Sequence, residues 1–210
     1  MQFENTSKLT NNTLDALNFE AKAKAKAKAK VKVKVPGEQL PSHVVKDLRT
    51  DHAGEMGAVY IYKAILIFSR DRALRHFAER HLTTEQSHLQ RIEDWLAPKH
   101  FSKLIDLWKV AGFITGAIPA LFGPRAVYAT IKSVETFVDL HYEEQVLAFK
   151  TEPELSRLLD TLKECQADEV DHRDQASLAI GDSKLGIFLR TWCALVSWGS
   201  KNAVNVCRYI

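Results

Sequence analysis

Two short motifs restrict what this chain can fold into more than any other feature. Glu85-Gln-Ser-His88 and Glu169-Val-Asp-His172 share the form E-x-x-H and lie in different halves of the chain. On an α-helix, positions i and i+3 share a face, so each motif aims a carboxylate and an imidazole at one point. Both sit on stripes that are otherwise largely apolar. One runs Phe77, His81, Glu85, His88, Ile92, Trp95; the other Leu158, Leu162, Cys165, Glu169, His172, Ala176. A carboxylate on a buried stripe is costly unless a compensating charge meets it. A metal ion supplies such a charge.

Each motif follows a helical stripe with its own inward glutamate. Glu55 lies on Asp51, Glu55, Val59, Tyr62, Leu66, and Glu135 on Tyr128, Ile131, Glu135, Val138, Tyr142, Val146. The interval from Glu55 to Glu135 nearly equals the interval from Glu85 to Glu169, so the chain reads as two halves of the same plan. Four helices then offer Glu55, Glu85, His88, Glu135, Glu169 and His172 as metal ligands. One glutamate from each of two helices plus E-x-x-H from each of the other two is the ligand set of ferritin-like di-iron and di-manganese bundles. Oxygen-rich, imidazole-poor ligation suits iron or manganese better than structural zinc. Which glutamates bridge the metals stays open at this level.

The rest of the pattern is all-α. Ser42 is a candidate cap for the first helix, and a weak break falls at Ser69–Asp71. Pro98 ends the second helix, and Gly123-Pro124 ends a third segment, Leu104–Phe122. Thr151-Glu152-Pro153-Glu154 reads as a capping box opening the fifth helix, Gly181 closes it, and Ser183 starts a sixth. The expected architecture is a ferritin-like four-helix bundle with additional apolar helices, six in total. It occupies residues 42–210, behind a Lys-rich disordered tail over residues 1–41.

Charge separates those two parts. The chain carries a net +3, but residues 1–36 hold eight lysines against Glu4, Asp15 and Glu20, which leaves the remainder at −2. The basic balance belongs to the tail, and the body offers no general case for nucleic-acid binding. The alternating Ala/Val-Lys segment Ala21–Val35 suits a solvated tail, with a polybasic lipid contact as the sharper alternative. Three cysteines without a C-x-x-C argue against a disulfide framework or a zinc ribbon and for a reducing compartment. No secretory signal is visible. The segment before Arg49, the first arginine, is also a poor match to a transit peptide.

Leu104–Phe122 is close in length to a membrane-spanning helix. Asp106, Lys109, two glycines and Pro119 within it argue against a simple span. An interfacial or substrate-facing helix and a buried core helix remain equal readings, with Trp108 near a polar boundary in the first. Leu185–Val196 is a second apolar stretch that suits either role.

At these residues the chain resembles the demethoxyubiquinone hydroxylase family, ferritin-like di-iron monooxygenases of ubiquinone biosynthesis, over residues 42–210. Asp51-His52-Ala53-Gly54-Glu55-Met56-Gly57-Ala58 is similar to the family's first ligand motif. Glu85 with His88, Val134-Glu135 with His141-Tyr142, and Asp168-Glu169-Val170-Asp171-His172 match the others. Trp108 to Gly123 resembles the segment linked to membrane and quinone contact.

The resemblance implies hydroxylation of demethoxyubiquinol to demethylubiquinol with O2 at two ferrous ions. It also implies a membrane surface and accessory proteins of ubiquinone biosynthesis as partners. The place would be peripheral, on the cytoplasmic face of a bacterial inner membrane, or alternatively on the matrix side of the mitochondrial inner membrane. Another ferritin-like role, such as ferroxidase, iron storage or peroxide reduction, is the competing function. A non-enzymatic helical protein at a membrane surface is a third.

Residues around the ligands carry narrower expectations. Asp51 and Asp139 are either partners of the ligand histidines or ordinary surface acids. Tyr142 either orients a ligand or substrate, or fills the core. Cys165 reads as a small core residue. His81 departs from the family pattern and reads as exposed in preference to a donor beside the ligands.

Overall fold

In a computed structural model, which describes residues 40–182 and 184–210, the helical periodicity becomes six α-helices with no strand among those residues. They are α1 Ser42–Phe68, α2 Arg72–Glu93, α3 Ile105–Phe122, α4 Pro124–Phe149, α5 Ser156–Ile180 and α6 Ile187–Cys207. The expectations for the Lys-rich tail lie outside the described residues, as does Ser183.

Several helix ends differ from the sequence reading. Ser42 is the first helical residue, after Pro41, and makes no capping bond. Thr151-Glu152-Pro153-Glu154 does not cap α5. Pro153–Leu155 is instead a 3-10 turn, from which α5 starts without a side-chain cap. The sixth helix begins at Ile187 rather than at Ser183. The strong cap is at the break the sequence marked only weakly: Asp71 accepts a hydrogen bond from the Leu74 amide at 2.8 Å. Such a cap contributes about 1 kcal/mol. Arg75 closes the other side of that break by donating to the carbonyls of Leu66 and Ser69.

α1 with α2, and α4 with α5, form two antiparallel pairs. α1 and α4 cross-pair at Thr50–His141 and Tyr62–Glu135, and α2 and α5 at Arg91–Glu164 and Arg80–Gln175. Residue numbers rise on one helix as they fall on the other, so both contacts are antiparallel. α2 and α4 therefore run the same way, and α3 must carry the chain back along the bundle. It does so against α1, at a separation only glycine permits. A Cβ on Gly112 or Gly116 would stand 2.2 Å from the carbonyl oxygen of Gly57 or Ile61, respectively. Gly123, at φ +98°, then takes a left-handed conformation that side chains disfavour, and Pro124 fills the first position of α4.

α3 is not a core helix. It buries Gly112, Gly116, Pro119 and Ala120, while Leu107, Val110, Ile114, Leu121 and Phe122 face outward. α6 behaves alike: Ile187, Phe188, Leu195 and Trp198 are exposed. By length and composition α3 could cross a membrane, with mean hydropathy 1.4 and 22% of it buried.

The bundle interior has two apolar clusters. Tyr62, Ile65, Leu74, Phe77 and Ile131 belong to one; Leu48, Ile92, Leu96, Leu158 and Leu162 to the other. Full burial of such a side chain contributes about 1.5–3 kcal/mol. The polar residues of the next section come from the same four helices and are just as buried.

Candidate metal centre

The six residues singled out by their spacing converge. Glu55, Glu85, His88, Glu135, Glu169 and His172 are each 4% exposed or less. They form two interlocked groups. Glu55, Glu85, His88 and Glu169 present ligand atoms within 4.8 Å of one another, as do Glu85, Glu135, Glu169 and His172. Glu85 and Glu169 belong to both groups and are the two glutamates placed where they could be shared.

The contacts inside the cluster fit a set of ligands better than a closed hydrogen-bond network. His88 Nδ1 lies 2.9 Å from Glu169 and 3.7 Å from Glu55. His172 Nδ1 lies 3.1 Å from Glu85 and 3.3 Å from Glu169. Yet both oxygens of Glu85, one of Glu169 and Nδ1 of His172 are buried without a hydrogen-bond partner. Orphaned buried polar atoms of this kind are rare, because each carries a desolvation cost of about 1–3 kcal/mol. Four carboxylates and two imidazoles facing inward are also the hard and borderline donors that iron or manganese takes.

Electrostatics without a metal show the same strain. Burial pushes Glu85 and Glu135 well above the usual carboxylate range, and the charge of Glu169 pushes them further. Burial works the same way on Glu169, but the adjacent His172 and His88 outweigh it and hold its carboxyl at about 2. Burial would lower both histidines, but the Glu169 carboxylate beside them raises them, with Glu55 adding to the effect at His88. Protons on the histidines thus stand in for cations.

Around the six lie residues that the sequence reading placed only in part. Tyr142 donates to Glu55 and is also buried in the core, so it has both of the features expected of it. Tyr62, which looked like plain core, donates to Glu135 at 3.3 Å. Each tyrosine lies two turns after one single glutamate and bonds the other, so the repeat between the two halves contained this signal. Asp51 touches no ligand histidine. It binds His141 at 3.1 Å and Gln145 at 2.6 Å, and His141 also meets Thr50 at 2.9 Å. Asp139 is tied to Arg173 and Gln166. The acid that supports a ligand histidine is Asp168, whose Oδ2 lies 3.0 Å from His88 Nε2.

His81 corrects its sequence reading: it is 3% exposed. Its ring meets that of His172 edge-on at 3.9 Å between centroids, and burial, followed by the charge of His172, holds it down to about 3. Cys165 is core as expected, with burial pushing its thiol up to about 12.

A cavity of about 480 Å³ leads from the protein surface to Glu55, Glu135 and Tyr142. Its walls are mostly apolar and come from α1, α3, α4 and α6. Ile114, Leu195 and Trp198 both line it and face outward, so its mouth lies between α3 and α6. Asp51 and His141 add a polar patch to the wall.

Comparison with known proteins agrees with this arrangement. The family described as "Ubiquinone biosynthesis protein COQ7" matches residues 42–207. The 3-demethoxyubiquinol 3-hydroxylase of Rhodospirillum rubrum is 34% identical over 145 residues, 67% of each chain. The mitochondrial NADPH-dependent 3-demethoxyubiquinone 3-hydroxylase of Dictyostelium discoideum is 30% identical over 178 residues, covering 80% of this chain and 78% of the relative. The mitochondrial 5-demethoxyubiquinone hydroxylase of Saccharomyces cerevisiae is 27% identical over 177 residues, covering 73% and 76%. A match across most of the chain, on a bundle whose interior is built around two E-x-x-H motifs, places this protein in the COQ7 family of ubiquinone biosynthesis proteins.

Proposed function

We propose that this protein is a 3-demethoxyubiquinol 3-hydroxylase of ubiquinone biosynthesis, adding a hydroxyl group from O2 to the ring of demethoxyubiquinol to give demethylubiquinol. The observation that carries this reading is the pairing of two four-residue ligand groups with an apolar cavity that ends on them. Glu55, Glu85, His88 and Glu169 would hold one iron, and Glu85, Glu135, Glu169 and His172 the other. Two ferrous ions held there would supply the electrons and open coordination positions that reduction of O2 requires.

The chain's own residues account for the remaining needs. Tyr142 and Tyr62 restrain Glu55 and Glu135 by hydrogen bonds, keeping the two single-glutamate ligands in place. The apolar walls exclude water from the reacting ring, which suppresses side reactions. A largely hydrocarbon tube suits an isoprenoid quinol, whose tail would leave through the mouth between α3 and α6. The patch of Asp51 and His141 offers hydrogen bonds to ring oxygens on an otherwise apolar path.

The outward faces of α3 and α6 support a peripheral place on a membrane. They expose Leu107, Val110, Leu121, Phe122 and Phe188 on the same two helices whose Ile114, Leu195 and Trp198 line the cavity, so a lipid-dissolved substrate could pass without crossing water. We place the protein on the cytoplasmic face of a bacterial inner membrane. The domain boundaries proposed are a tail over residues 1–41 and a di-iron domain over 42–210.

The test is a single-turnover assay. Full-length protein is loaded anaerobically with Fe2+, supplied with reduced demethoxyubiquinone in detergent, and exposed to 18O2. Demethylubiquinol carrying one 18O atom is expected. Absence of that product from protein that holds two irons per chain would overturn the assignment.

A further inference from the structure

The two ligand groups are built to one plan and differ in what stands behind the histidine. Each has three carboxylates and one imidazole, and two of the carboxylates are common to both, so ligand type and charge do not distinguish them. Each single glutamate receives a tyrosine hydroxyl from across the bundle. The difference lies in the position just before each E-x-x-H glutamate: Asp168 in one half, Thr84 in the other.

Asp168 reaches across to α2 and stands 3.0 Å from His88 Nε2. When Nε2–H donates to that carboxylate the ring is fixed with Nδ1 facing Glu169 and Glu55, where a metal ion would take the place of its proton. Thr84 does not do the same for His172. Its hydroxyl turns back to the Arg80 carbonyl at 3.4 Å. Among the described residues, both carboxylate contacts of His172 run through Nδ1, and the edge-on neighbour of its ring is His81. A carboxylate behind a ligand imidazole raises its basicity and fixes its tautomer, and losing one typically costs ten- to a hundredfold in metal affinity.

We propose that the two metal positions are unequal and fill in order, the one containing His88 and Glu55 first and the one containing His172 and Glu135 second, with Asp168 as the positioning residue that sets the order. The proposal rests on the di-metal reading above and deepens it. The Asp168 side chain is 47% exposed, so solvent screening puts its effect towards the lower end of the range. Its ionic contact among the described residues is His88, so removing it leaves the packing of the bundle in place.

The test is anaerobic calorimetric titration of metal-stripped, full-length protein with Fe2+. Two steps are expected, separated by about tenfold or more. Asp168→Ala should weaken the first step by roughly ten- to a hundredfold and leave the second within about threefold. Asp168→Asn, which keeps an acceptor but loses the charge, should fall between it and the wild type. His172→Ala should abolish the second step and spare the first. The unchanged second step in Asp168→Ala also serves as the folding control. Two equal steps in the wild type, or equal weakening of both steps by Asp168→Ala, would overturn the order while leaving the di-metal reading intact. Binding of fewer than two Fe2+ per chain by the wild type would overturn both.

Discussion

The interior of the four-helix bundle and the outer faces of α3 and α6 reverse the usual distribution of polarity. The bundle buries Glu55, Glu85, Glu135 and Glu169 with His88 and His172 among its polar residues, while α3 and α6 turn leucine, isoleucine, phenylalanine and tryptophan to the outside. Neither arrangement stabilises a folded chain by itself. Buried charge needs a partner, and an exposed apolar face needs cover. The two are joined by one cavity, whose mouth lies between the greasy helices and whose end lies on the carboxylates. What the two regions lack is complementary: positive charge inside and apolar cover at the edge.

The largest effect should come from breaking the inner region. Glu169→Ala removes a residue common to both ligand groups, so hydroxylation should fall to background and iron content should drop well below that of the wild type, read by metal analysis. Helicity should survive, because the apolar clusters are untouched. Retained activity in that variant would separate the cluster from the chemistry.

Breaking the outer region should act differently. Phe122→Asp, at an exposed end of α3, should weaken binding to phospholipid vesicles by roughly tenfold, at the cost on the order of 1–3 kcal/mol of placing a charge in the interface. Its iron content should stay that of the wild type. Unchanged vesicle binding would show that this face does not meet lipid.

Gly112→Leu tests the seam between the two regions. Its side chain would enter the α1 backbone at Gly57, so α3 must move, with an expected destabilisation of about 1–3 kcal/mol by overpacking. A thermal melt reads the loss.

A graded effect follows from pH. Burial lowers His88 and His172, but the adjacent Glu169 carboxylate raises both above their ordinary value of 6.5. Their stabilisation is fully present below 6.5 and is lost as pH rises towards their folded values. As pH rises above 6.5 the folded metal-free protein keeps protons that the unfolded chain releases. Its stability should fall by about 1.4 kcal/mol per pH unit for each proton retained. With Fe2+ in place of those protons the slope should flatten. Chemical denaturation at several pH values, with and without the metal, would measure the difference.

The sequence by itself determined the helical class and the inward facing of all six candidate ligands. Helical periodicity is local: a carboxylate one turn from an apolar position and an imidazole one turn further on must share a face wherever the helix goes. The same periodicity hid Tyr62 in an apolar stripe, although it stands to Glu55 as Tyr142 stands to Glu135.

The tertiary structure alone decided the remainder. Asp168 supports His88 because α5 lies against α2, and no spacing within one helix reports that. His81 is buried because the ring of His172 closes over it from another helix. The outward face of α3 was undecided in sequence because its composition suits both core and interface. The approach of Gly112 and Gly116 to α1 fixed which side is covered. Contacts within one turn are set by the chain's own geometry, whereas contacts between helices depend on which faces meet, and only packing settles that.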